Sequence, residues 1–131
     1  MLPATYEIKA NITEYAPFDE GVYQAVLEDI EDKGLVQTPW GDKLQMVFKF
    51  FIPSLSRNIF YTAANSWSTG GRYKPSSLYI LCQAMGYKDS AKPSVEELNG
   101  LVTKPVTLVI KNKLNTKGEM RSRITDFLTA K

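Results

Sequence analysis

A chain of 131 residues with 44% hydrophobic side chains is long enough to bury one core and short enough to be one domain. Histidine is absent, which removes the usual general base at neutral pH and the commonest metal ligand, and the single cysteine, Cys82, cannot close an internal disulfide. The net charge of +2 hides a division: residues 1–34 hold eight acidic against two basic side chains (−6), and residues 35–131 hold fourteen basic against six acidic (+8). That asymmetry points to a basic surface offered to a polyanion, with an unevenly solvated surface as the alternative.

No run of eighteen apolar residues occurs, and the first ten residues lack a basic segment followed by an apolar one. Neither a membrane span nor a secretory leader is expected, and the cysteine usage suits a reducing, cytoplasmic compartment. Residues 1–20, with Pro3 and Pro17 and no clear period, read as an N-terminal arm; residues 21–131 read as the domain.

Gly21 to Ile30 is rich in strand formers and predicts a first strand whose far end turns acidic at Glu28, Asp29, Glu31 and Asp32. A loop follows, broken by Gly34, Pro39 and Gly41 and carrying Lys33 and Trp40. Lys43 to Ile52 then alternates most clearly. Leu44, Met46, Phe48, Phe50 and Ile52 share a core face, while Lys43, Gln45, Val47, Lys49 and Phe51 share a basic and aromatic one. Arg57 to Ala64 returns as a third strand. Residues 65–75 are too rich in turn formers for regular structure and form a loop with Trp67, Arg72, Tyr73 and Lys74.

Beyond Pro75, Ser76 or Ser77 caps a helix with Leu78, Leu81, Cys82 and Met85 on one face and Gly86 at its end. Cys82 reads there as a buried thiol. Ser94 and Glu97 have the spacing of a capping box, which predicts one further helical turn ending at Asn99 and Gly100. Pro105 to Lys111 and Met120 to Ile124, joined through Asn115 to Gly118, predict a closing hairpin.

Three strands, a helix and two more strands are the order of a mainly β, five-stranded Greek-key barrel of the oligonucleotide-binding (OB) type, with a helix between strands 3 and 4. Ligands of that fold lie on strands 2 and 3 and on the loops joining strands 1 to 2 and 4 to 5. Single strands are held there by phosphate neutralisation and base stacking. The candidate contacts are therefore Trp40, Lys43, Lys49, Phe51, Arg57, Tyr61, Trp67, Arg72, Tyr73, Lys111, Lys113, Lys117, Arg121 and Arg123. Trp40 and Trp67 are the leading stacking candidates. For each the plainer alternative is a ring folded back over the end of the barrel, and Phe51 packs or stacks with equal reason.

Several segments resemble phage-type OB-fold single-stranded DNA-binding proteins: Pro17 to Tyr23, Gly41 to Lys43, Phe48 to Phe50, Ser76 to Leu78, Leu98 to Gly100 and Pro105 to Leu108. The resemblance spans about residues 17–127 in short, degenerate motifs. It implies a non-catalytic accessory of replication, recombination or repair that coats single-stranded DNA without base specificity in the cytoplasm, that of the host if phage-encoded. Replication or recombination proteins are the implied further partners. Residues 126–131 end basic, where an acidic tail often recruits such partners, so recruitment by a tail is not implied.

The rival readings are an OB-type protein-interaction module and a metal-dependent nuclease built on Asp29, Glu31 and Asp32. For the nuclease no ordered motif fixes the geometry, and Ser68 to Gly71 lacks the lysine that follows in a phosphate-binding loop, so no cofactor is expected. The exposed edge of an open barrel permits a homodimer.

Overall fold

The computed structural model describes residues 1–5, 17–39, 41–70 and 74–129. Five strands and two short helices follow in the order β1 (Gly21–Thr38), β2 (Gly41–Ile52), β3 (Arg57–Ala64), α1 (Ser77–Ala84), α2 (Val95–Asn99), β4 (Pro105–Leu114) and β5 (Met120–Leu128). All strand pairs are antiparallel, and the sheet order is β3-β2-β1-β4-β5.

β2 follows its sequence period: Phe48, Phe50 and Ile52 are fully buried, and Leu27 of β1 and Val106, Leu108 and Ile110 of β4 join them. Burying each of these large side chains contributes roughly 1.5–3 kcal/mol, so this inner face dominates the stability of the fold. α1 covers it with Leu78, Leu81, Cys82 and Met85, the predicted helical stripe. Ser76 caps the helix, its Oγ accepting the Tyr79 N–H at 3.2 Å. Burial pushes the Cys82 thiol up to about 11, so it stays neutral at physiological pH. The capping box also forms: Ser94 Oγ accepts the Glu97 N–H and Glu97 Oε1 accepts the Ser94 N–H, both at 3.1 Å.

β1 departs from expectation by continuing past Ile30 to Thr38. Register shifts between Leu27 and Asp29 and between Asp32 and Gly34 leave Glu28 and Lys33 as extra residues. Gly34 takes φ +75°, which a glycine adopts without steric cost, and donates its N–H to Asp32 Oδ1 at 2.9 Å. The glycine read as a strand breaker therefore makes a bulge, and the long loop expected after Ile30 is replaced by strand pairing that continues until Thr38 lies opposite Gly41.

Pairing with β4 covers only Gly21–Val26 of β1, and pairing with β3 covers only Gln45–Ile52 of β2. The remainder of β1 and β2, around Leu35 and Leu44, runs on as a two-stranded ribbon. At the other end of β1, β4 and β5 run on past Ile110 as a second ribbon. Asn115 closes it, Oδ1 accepting the N–H groups of Lys117 (2.9 Å) and Glu119 (3.0 Å).

Phe18 belongs to the core, although the sequence expectation starts the domain at Gly21. Its N–H donates to Ser122 Oγ at 2.7 Å, and its carbonyl accepts from Asn112 Nδ2 at 2.8 Å. Asn112 and Ser122 are opposite each other in the β4–β5 pairing, so the anchor exists only once that hairpin has formed.

Among the described residues, β3 and β5 form no hydrogen-bonded ladder, and the sheet is open along that seam. Side chains bridge it. Tyr61 of β3 meets Phe127 of β5 edge-on with centroids 4.8 Å apart, Phe127 also touches Phe50 at 5.8 Å, and α1 packs on both strands. Among the described residues, no helix is long and apolar enough to cross a membrane.

Candidate nucleic-acid interface

The side chains opposite the core make the outer face of the sheet, and strand register decides which candidates reach it. On β2 these are Lys43, Gln45, Val47, Lys49 and Phe51, as alternation predicts. On β3 the pairing Lys49↔Phe60 and Phe51↔Asn58 puts Asn58, Phe60 and Thr62 outward. Phe60 is 61% exposed, lies directly opposite Lys49 and is diagonal to the half-buried Phe51. Diagonal neighbours on one face lie about 7–8 Å apart, within reach of one another for aromatic rings. Sequence reasoning missed Phe60. Its signal lay in the inward Ile59 and Ala63 of β3, which leave the even-numbered positions outside.

Tyr61 sits opposite Phe48 on the inner face, its ring against Phe127. Arg57 is also on that side, with its guanidinium 3.9 Å from the centre of the Phe18 ring. Trp67 packs edge-on to Tyr79 and Tyr87 at 5.2 and 5.9 Å and donates its indole N–H to the Ser90 carbonyl at 2.9 Å. It lines a cavity of about 400 Å³ together with Met46, Leu78, Lys92 and Leu98. These three side chains are thus held by packing and do not join the outer face of β2. Trp40, Arg72 and Tyr73 lie outside the described residues.

The β4–β5 ribbon carries the densest charge. Lys111 is directly opposite Arg123, and Lys113 directly opposite Arg121, so four cations form two rungs on one outward face. Lys117 stands exposed on the turn beyond them. Like charges directly opposite destabilise a sheet. Only Arg121 has an ion-pair partner among the described residues, Glu119 at 3.1 Å, and that pair is half-exposed.

The acidic run behaves differently. Glu28 pairs with Lys49 at 3.5 Å, Asp29 and Glu31 share the outer face beside it, and Asp32 falls on the opposite face across from Met46. The strand thus divides the three carboxylates of the nuclease reading between two faces. Among the described residues, no group of three or more potential ligands could hold a metal ion.

No family model matches the chain, and no curated protein is similar to it. The chemistry of the outer face stands alone: two cationic rungs able to neutralise successive phosphates, and two rings, Phe60 and Phe51, beside Lys49 on a separate strand pair.

Proposed function

We propose that this protein binds single-stranded DNA without base specificity and without catalysis, as an accessory of replication, recombination or repair. The observation that carries the reading is the pair of like-charged rungs, Lys111 with Arg123 and Lys113 with Arg121. Apposed cations cost stability in the free protein, and a polyanion laid across them removes that cost and releases its own counterions. Phe60 and Phe51 supply stacking surfaces of the sequence-tolerant kind that single strands use.

The OB-type barrel is part of the proposal. In its favour, β1 pairs with both β2 and β4, and the strand order β3-β2-β1-β4 is that of a Greek key. α1 falls between β3 and β4 in sequence, and Phe127 against Tyr61 brings the two edge strands together.

Anisotropy of a labelled thymidine oligonucleotide, titrated with the protein at several salt concentrations and with a duplex of equal length as competitor, tests the reading. Saturable, salt-weakened binding that the duplex competes for poorly is the expected result. Absence of binding at low salt refutes it and leaves a protein-interaction module, the reading favoured by the exposed apolar pairs at the ends of both ribbons.

A further inference from the structure

The cavity of about 400 Å³ beside Trp67 lies between β2, α1 and α2. Met46 of β2, Leu78 of α1 and Leu98 of α2 give it apolar walls, and Val95 stands 76% exposed on its rim. Its size is at the lower end of the roughly 300–1,000 Å³ of ligand pockets, room for one ring-bearing unit and not for an extended chain. Trp67 offers it ring surface alone. The indole N–H is already taken by the Ser90 carbonyl at 2.9 Å, and Tyr79 and Tyr87 hold the ring in place.

Two polar side chains share this lining. Among the described residues, neither the Asn65 amide nor the Lys92 ammonium makes a hydrogen bond or an ion pair. Both stand on backbone that is already fixed: the Asn65 N–H donates to the Leu44 carbonyl at 2.8 Å, and the capping box holds Ser94, two residues beyond Lys92. The nearby carboxylates are engaged elsewhere, Asp32 Oδ1 with the Gly34 N–H and Glu97 Oε1 with the Ser94 N–H. Lys92 is thus the only charged side chain on the lining among the described residues.

An occupant of this cavity meets three demands together: an apolar ring for Trp67 and the aliphatic walls, an anion for Lys92, and both a donor and an acceptor for the Asn65 amide. An aliphatic chain would cover the amide without bonding it, which costs free energy. We propose that the cavity binds one nucleotide, its base between Trp67 and the apolar walls, its base edge on Asn65 and its phosphate on Lys92. Asparagine matches donor–acceptor base edges, and lysine meets phosphate as a point charge. Ring contact tolerates any base. Met46 is on the inner side of β2, whereas Lys49 and Phe51 are on the outer one, so the site is separate from the outer face and does not depend on that face binding DNA. A free mononucleotide and the end of a strand present the same chemistry to it.

Nitrogen–proton correlation spectra of the protein, titrated with deoxyadenosine and thymidine 5′-monophosphates, provide the test. The Trp67 indole N–H and the backbone amides of Asn65 and Val95 should shift together and saturate. Both bases should act alike, the unphosphorylated nucleosides more weakly, and inorganic phosphate should leave the indole unmoved. Lys92→Ala, an exposed substitution, should weaken mononucleotide binding roughly tenfold, the loss of one hydrogen bond to a charged group, and Lys92→Arg should restore it. Asn65→Ala should weaken mononucleotide and nucleoside alike. A thymidine oligonucleotide that moves the same resonances identifies a strand end as the source, and one that leaves them unmoved identifies a free nucleotide. The variant with Gln at Lys111, Lys113, Arg121 and Arg123 should bind mononucleotides as the wild type does, which keeps failure here distinct from failure of the outer face. Cavity resonances that ignore mononucleotides, that respond equally to inorganic phosphate or to N-acetylphenylalanine, or that titrate unchanged in Lys92→Ala would overturn the proposal.

Discussion

The β1–β2 and β4–β5 pairs each run on as a two-stranded ribbon with an apolar pair near the tip, yet the outer faces of the two strand pairs are charged by different rules. On β1 and β2, Glu28 stands within ion-pairing distance of Lys49, and opposite charges share the surface. On β4 and β5, cations face cations. A half-exposed ion pair contributes at most about 1 kcal/mol, so the first arrangement is ordinary surface chemistry. The second costs stability, offset within the described residues only by the half-exposed pair of Arg121 with Glu119. That cost is what a bound polyanion would remove under the proposed function.

The largest expected effect concerns the frame from which both ribbons project. Phe127→Ala removes the ring that Tyr61 and Phe50 pack against and should cost about 3–5 kcal/mol in urea unfolding. A loss below about 1 kcal/mol would mean that the seam between β3 and β5 contributes little and that the ribbons are held by the β1 pairings alone.

Neutralising the rungs separates the two strand pairs directly. Changing Lys111, Lys113, Arg121 and Arg123 to Gln should flatten the salt dependence of oligonucleotide binding by roughly 0.7 in log–log slope for each phosphate that is no longer neutralised. The same variant should unfold at higher urea, by about 0.2–1 kcal/mol for each rung relieved, so that binding falls as stability rises. Asp29→Asn/Glu31→Gln on β1 should leave the slope unchanged. Equal effects from the two strand pairs would erase the distinction between them.

Phe60→Ala should cost about 1–3 kcal/mol of single-strand affinity, similarly for all base compositions, with stability unchanged because the ring is already exposed. The smallest effect belongs to the ion pair: Glu28→Gln should shift stability by less than about 1 kcal/mol and free Lys49 to strengthen oligonucleotide binding slightly.

Much of the fold was legible wherever one residue pattern allowed a single geometry. The alternation of β2 named its core face, Ser76 and Gly86 bounded α1, and Ser94 with Glu97 specified α2, because period and capping chemistry are local. Lys111 with Lys113 and Arg121 with Arg123 were likewise visible at strand spacing as two basic pairs. Their apposition was not, since it depends on how the Asn115–Gly118 turn sets the register. Ile59, Phe60 and Tyr61 are three successive apolar residues, and a shift of one position would exchange which of them face the core.

By itself the sequence determined the number and type of most elements, the inner face of β2 and the concentration of positive charge after residue 34. Tertiary structure alone decided that Gly34 bulges a strand instead of ending it, that Phe18 belongs to the core, that Tyr61 turns in while Phe60 turns out, and that Trp67 is held by Tyr79, Tyr87 and Ser90. The reason is that cross-strand register and long-range packing are properties of residues distant along the chain, and no local pattern encodes which partner each will meet.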